Sequence, residues 1–122
     1  MKILVYGTES FEDYGTFMRG MAVALQSTVG AADNRIDILT AGPHKINNFT
    51  AEFVNRSEDL IKQNKMKIKF NRVSFREVLS NFETYDLDYV ISFNTKNDRD
   101  KFFDPIISKA EQHNVEAAFY RY

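Results

Sequence analysis

Three short stretches gather residue types able to hold a nucleotide-like ligand. The first is "GTESFED", Gly7–Asp13, directly after the apolar run "ILVY". A glycine there permits a tight turn and close backbone approach, and amides at the start of the next helix can bind an anion. Glu9 has a different chemistry: its carboxylate repels phosphate but accepts hydrogen bonds from a ribose or a base. The stretch reads equally well as a plain turn, with Phe11 and Tyr14 as anchors and Asp13 as helix cap. The second stretch is "AGPHKINN", Ala41–Asn48. Lys45 can pair with a phosphate and His44 can donate to one. Asn47 and Asn48 are good N-caps, so free helix amides are expected to point into the same crevice. Gly42-Pro43 before a capped helix is the structural alternative. The third stretch, "FNTKNDRD", Phe93–Asp100, has no glycine. Asn94, Thr95 and Lys96 can hydrogen-bond a ligand, while Asp98 and Asp100 can neutralise Lys96 and Arg99 in a solvated connection. The candidate ligand-binding residues are therefore Gly7, Thr8, Glu9, Tyr14, Gly42, His44, Lys45, Asn94 and Thr95.

Other chemistries find no support. The chain has no cysteine, so thiolate nucleophiles, thiolate metal sites and disulfides are excluded. His44 and His113 lack any ligand spacing, so no metal site is expected. No G-x-S-x-G elbow is present, and no carboxylate pair can be placed by spacing for acid–base work. No catalytic residue and no cofactor are assigned.

The three loops need elements to hold them, and short apolar runs alternating with helical patterns supply these. "KILVY", Lys2–Tyr6, is a buried strand by its continuous branched and aromatic content. Phe17, Met21 and Leu25 recur at helical spacing, which predicts a helix over about Tyr14–Ser27 with Gly30 as its stop. "IDILTAG" is the second strand. A second helix is expected over about Asn47–Asn64, with Ile46, Phe49, Phe53, Leu60 and Ile61 on one face. "KMKIKF", Lys65–Phe70, alternates strictly, with Met66, Ile68 and Phe70 on one side and lysines on the other. "SFREVLSNF" carries a capping box, Ser74 with Glu77. "DYVISF", Asp88–Phe93, is the fourth strand. The last helix is expected over about Arg99–His113, with Pro105 forcing a kink or a later first turn. "VEAAFY" is the fifth strand.

Strands alternating with helices predict βαβ units, hence an α/β, doubly wound, mainly parallel five-stranded sheet. In such folds ligands bind at the carboxyl ends of strands near the switch point, and that rule picks the three loops above. The 122 residues are read as a single domain. The net charge of −1, from 16 basic and 17 acidic residues, gives no general pull toward nucleic acid or anionic membrane. The lysines of "KMKIKF" are read as protection of an exposed sheet edge rather than as a nucleic-acid patch. No apolar run has the length of a membrane span, the opening "MKILVY" fails as a signal peptide, and a cytoplasmic location is expected.

The opening "MKILVYGTESFEDY" resembles the start of SLOG-superfamily proteins, which reads M-K-V-L-V-x-G-x-R-x-F-x-D-Y. This superfamily groups the Rossmann-like nucleotide-binding domains of DNA-processing protein A, of the LOG (lysine-decarboxylase-like) phosphoribohydrolases and of small stand-alone bacterial and phage proteins. The resemblance continues through "DILTAGPHKINNFTAEFV" and "DYVISFNT…FFDPIISKAEQHNVEAAFY". It implies strand order 3-2-1-4-5, which puts "KMKIKF" on an edge. The first motif keeps Gly7, Phe11, Asp13 and Tyr14 but has Glu9 where the family commonly has arginine. The second keeps only Gly42 of its glycines. The third, a Gly-Gly-x-Gly-Thr phosphate loop, is replaced by "NTKND". Hydrolytic members also use an arginine and a glutamate around that third motif; neither can be placed, and Asp100 is the nearest acidic residue.

Three functions follow in order. The first is non-catalytic binding of a nucleotide or nucleotide-derived ligand, in a regulatory or host-interaction role suited to a small stand-alone, phage-like protein acting in the host cytoplasm. The second is a structural or protein-interaction module on the same scaffold, with a protein partner or a homo-oligomer. The third is a nucleotide N-glycosidase or phosphoribohydrolase, ranked last because the third motif is missing.

Overall fold

The computed structural model describes residues 1–28, 35–58, 67–94 and 105–121. Five strands form one parallel sheet: β1 (Lys2–Gly7), β2 (Arg35–Thr40), β3 (Lys67–Arg72), β4 (Tyr89–Asn94) and β5 (Glu116–Arg121), in the order β3-β2-β1-β4-β5. Among the described residues four helices flank it: α1 (Tyr14–Thr28), α2 (His44–Arg56), α3 (Phe75–Ser80) and α4 (Pro105–Gln112), with a 3-10 turn at Phe82–Tyr85. This is the expected Rossmann-like α/β arrangement.

The two faces of β1 explain its unbroken apolar run. Ile3 and Val5 join the core beneath α1 and α2, with Phe17, Met21, Ile46 and Phe53. Leu4 and Tyr6 join the opposite core, with Val78 of α3 and Ile106 and Ala110 of α4. A strand covered on both faces has no solvent side, so alternation disappears. At the edge the alternation returns. Lys67 and Lys69 of β3 are exposed, while Ile68 and Phe70 lie against the α1/α2 core. Lys65 and Met66 lie outside the described residues, as do Gly30, Leu60, Ile61, Asn64 and Arg99.

Two helix starts differ from expectation or refine it. Helix α2 begins at His44, three residues before the expected Asn47, with Pro43 as its N-cap and no side-chain cap. Proline has no amide hydrogen to leave unpaired, and its φ of −66° already suits a helix entry. Asn47 therefore sits inside the first turn, and its side chain reaches back to the sheet instead of capping. Helix α4 has Pro105 as its first described residue, a position where the missing N–H costs no hydrogen bond. Helix α3 has the expected cap: Ser74 Oγ accepts from the Glu77 amide at 3.3 Å.

The centre of the α1/α2 core is aromatic. The fully buried Phe93 ring lies 4.7 Å from that of Phe17 and 5.4 Å from those of Phe11 and Tyr120, centroid to centroid. Removing this ring leaves a cavity that three neighbours must fill. Phe93→Ala is expected to cost about 3–5 kcal/mol, measured by urea unfolding; a loss below about 1 kcal/mol would show that the cluster is not central to the core.

Candidate functional site

The carboxyl ends of β1, β2 and β4 bring Gly7, Thr8, Gly42 and Asn94 close together. Backbone hydrogen bonds join Gly7 to Gly42 and Thr8 to Phe93. The Gly7 amide donates to the Gly42 carbonyl at 3.2 Å, and the Thr8 amide donates to the Phe93 carbonyl at 2.9 Å. The Phe11 amide donates to the Thr8 carbonyl at 3.2 Å, closing a turn with Glu9 and Ser10 at its corner. Both corner residues are exposed, whereas Phe11 is fully buried and faces Phe93. Asp13 caps α1, its Oδ1 accepting from the Thr16 amide at 2.9 Å. The amides of Gly7 and Thr8, two of the candidate residues, are thus committed to protein carbonyls.

The glycine at position 7 has a definite cause. A Cβ there would stand 2.3 Å from the Phe93 carbonyl oxygen and 3.1 Å from Ile46 Cδ1. Contact with the neighbouring strand end is therefore enough to require glycine. Gly42 turns the chain out of β2 with φ 85°, a left-handed conformation that favours glycine. Asn47 holds this turn: its Oδ1 accepts from Thr40 Oγ1 at 2.6 Å and from the Gly42 amide at 3.0 Å.

The polar candidates disperse. Lys45 Nζ pairs with Glu12 Oε1 at 2.8 Å, bridging the second loop to the first. That hydrogen bond, with the ammonium charge, lowers the Glu12 carboxyl from its ordinary value. His44 is exposed. Tyr14 turns into the seam between α1 and α2, stacked on Phe17, edge-on to Phe49 and beneath the Arg56 guanidinium, 5.4 Å from its ring centroid. Burial pushes its phenol up, the Glu52 carboxylate adds to this, and Arg56 opposes it. Asn94 is buried and its Nδ2 donates to Ser92 Oγ at 2.8 Å. Thr95 lies outside the described residues. Two buried hydroxyl oxygens, Thr8 Oγ1 and Tyr14 Oη, have no hydrogen-bond partner among the described residues.

Glu12 and the stapling role of Asn47 escaped sequence reasoning. The Glu12–Lys45 pair is separated by 33 residues, so no local spacing signals it. Asn47 did carry a signal, an amide side chain just after Gly-Pro, but one that reads first as a cap.

A cavity of about 320 Å³ lies at the opposite end of the sheet, before β4 and β5, lined by Phe82, Glu83, Asp86, Leu87, Asp88, His113, Asn114 and Val115. Its acids are partly engaged: Asp88 Oδ2 accepts from the Lys2 amide at 2.9 Å, and Glu83 lies 3.4 Å from His113 Nε2. Among the described residues no three His, Asp or Glu side chains gather as a metal site requires, and no helix is long and apolar enough to cross a membrane. No protein-family model, curated protein or solved structure matches the chain.

Gly7→Ala is expected to destabilise the fold by about 1–3 kcal/mol in thermal or urea unfolding, because the carbonyl it meets belongs to a central strand. A neutral effect would show that the ends of β1 and β4 part easily. Glu12 gives a pH prediction. Its folded-state pKa is lowered, so the pair's contribution is present above the unfolded-state pKa and is lost as pH falls through the folded value. Both partners are well exposed, so that contribution is small. In Lys45→Ala the Glu12 carboxyl should titrate at a higher pH, read by NMR at its carboxyl carbon; an unchanged midpoint would remove the pair from the solution structure.

Proposed function

We propose that this chain is a non-catalytic Rossmann-like domain that acts through protein contact, in a regulatory or host-interaction role, on a scaffold of SLOG type whose first loop has become a structural turn. The observation that carries this reading is the commitment of the Gly7 and Thr8 amides to the Gly42 and Phe93 carbonyls. A phosphate seated on those amides would have to break both bonds and leave two carbonyls unpaired, a loss that its own hydrogen bonds would only offset. The carboxylate of Glu9 at the turn corner and the pairing of Lys45 with Glu12 add no free positive charge to attract it.

A second reading, binding of a nucleotide-derived ligand, is favoured by one observation. The Thr8 and Tyr14 hydroxyls are buried without a hydrogen-bond partner among the described residues, and a buried orphan polar group gains by meeting a ligand.

A thermal-shift series with mononucleotides, cyclic nucleotides and ADP-ribose separates the two. The protein-contact reading expects no concentration-dependent stabilisation by any of them. A ligand at 100 times its Kd stabilises a fold by about 2.7 kcal/mol, which is a shift of several degrees for a domain of this size. Such a shift, reduced in Tyr14→Phe, would replace the first reading with the second.

A further inference from the structure

We propose that the outer edge of β3 is a docking edge for an extended acidic segment of a partner protein, which joins the sheet as a further strand and sets alternate carboxylates against Lys67 and Lys69. This rests on the protein-contact reading above and names the surface and the kind of partner it fits.

Among the described residues β3 pairs only with β2. The register runs unbroken from Arg35 beside Lys67 to Thr40 beside Arg72, and the Val73 amide continues it by donating to the Thr40 carbonyl at 2.9 Å. Successive residues of a strand turn their backbone groups to alternate sides. The amides and carbonyls of Lys67, Lys69 and Asn71 therefore turn toward β2, as the Val73 amide does, and those of Ile68 and Phe70 turn outward. Such a row is a template for another strand, and an extended peptide that adds to a sheet edge uses it. The side chains alternate between the two faces. Lys67, Lys69 and Asn71 share one face and are exposed, while Ile68 and Phe70 share the other and are half-buried against the α1/α2 core.

Charge selects the occupant. Lys67 and Lys69 leave the strand about 6.6 Å apart, twice the rise per residue. Every second residue of an added strand has the same spacing, so acids at alternate positions meet both lysines. Opposite charges beside one another on neighbouring strands favour pairing, and like charges oppose it. The β3 of a second copy would bring lysines to lysines and is refused. The lysines that guard this edge against its own kind thus act as a filter that admits the opposite sign. Asp37 of β2, level with Lys69, stands 3.5 Å from Arg35 Nε, so its charge is met by Arg35. On the other face Ile68 and Phe70 offer apolar surface to the intervening residues. The segment that fits therefore reads acid, apolar, acid. A nucleic-acid strand would meet the lysines but has no peptide groups to pair with those of Ile68 and Phe70, and the net charge of −1 gives it no general attraction.

The test uses the full chain and a short fluorescent peptide in which glutamate and valine alternate. Anisotropy should show saturable binding, and the amide NMR signals that move should centre on Lys67–Arg72. The same peptide with lysine for glutamate should bind roughly tenfold more weakly or worse. A fully N-methylated version keeps the charge, loses the backbone donors and should not bind. Lys67→Glu together with Lys69→Glu should invert the preference toward the lysine peptide, with circular dichroism unchanged because both side chains are exposed. Absence of saturable binding by the acidic peptide overturns the proposal. So do signals that move only outside β3, equal binding of the N-methylated peptide, a preference untouched by the double substitution, or tighter binding of an oligothymidylate than of the peptide. If the peptide and the nucleotide series are both silent, the β3 proposal fails while the protein-contact reading stands. A nucleotide-induced shift would sink that reading itself.

Discussion

Phe93 is the residue on which the carboxyl end of the sheet depends. Its ring fills the space between Phe11, Phe17 and Tyr120, and its carbonyl receives the Thr8 amide. The same carbonyl forbids any side chain at position 7. Three elements are tied at one point: the turn after β1 through Phe11, the first helix through Phe17, and the edge strand β5 through Tyr120. Because protein interiors are packed to crystal-like density, none of these can move without disturbing the others. The turn at Glu9–Ser10 is thus held by packing beneath it, with its polar corner left to solvent.

That constraint changes what the first loop is for. In a phosphate-binding loop the glycine brings backbone amides to an anion. Here the glycine brings β1 against β4, and the amides go to protein carbonyls. The polar residues nearby follow the same logic. Asn47 holds the β2 turn, Asp13 caps α1, Lys45 ties the two loops through Glu12, and Tyr14 serves the seam between helices. Lys45, which looks like a ligand contact in isolation, is used to hold one loop to another, while Glu9 and His44 stay exposed.

The architecture was legible because its signals are local. An unbroken apolar run marks a strand covered on both faces, the lysine alternation of β3 marks an edge, and Ser74 with Glu77 marks the start of α3. Each depends on side-chain period or on a cap three residues long. The start of α2 was misread because Asn47 and Asn48 are good caps wherever the chain does not already have a proline suited to the entry. The partners of Lys45 and of the Gly7 and Thr8 amides depend on contacts between elements far apart in sequence, for which periodicity carries no information.

By itself the sequence determined the order and type of the elements and a mainly parallel sheet, since alternating strands and helices leave few ways to bury every apolar face; the strand order was implied only by the resemblance. It also determined that one edge strand carries lysines on alternate positions, a matter of composition in a single strand. The tertiary structure alone decided that Gly7 serves packing and that the loop amides are spent on carbonyls. It also decided that Tyr14 packs in the seam between α1 and α2. These outcomes depend on distances of a few ångströms between strand ends, set only when the aromatic core around Phe93 closes.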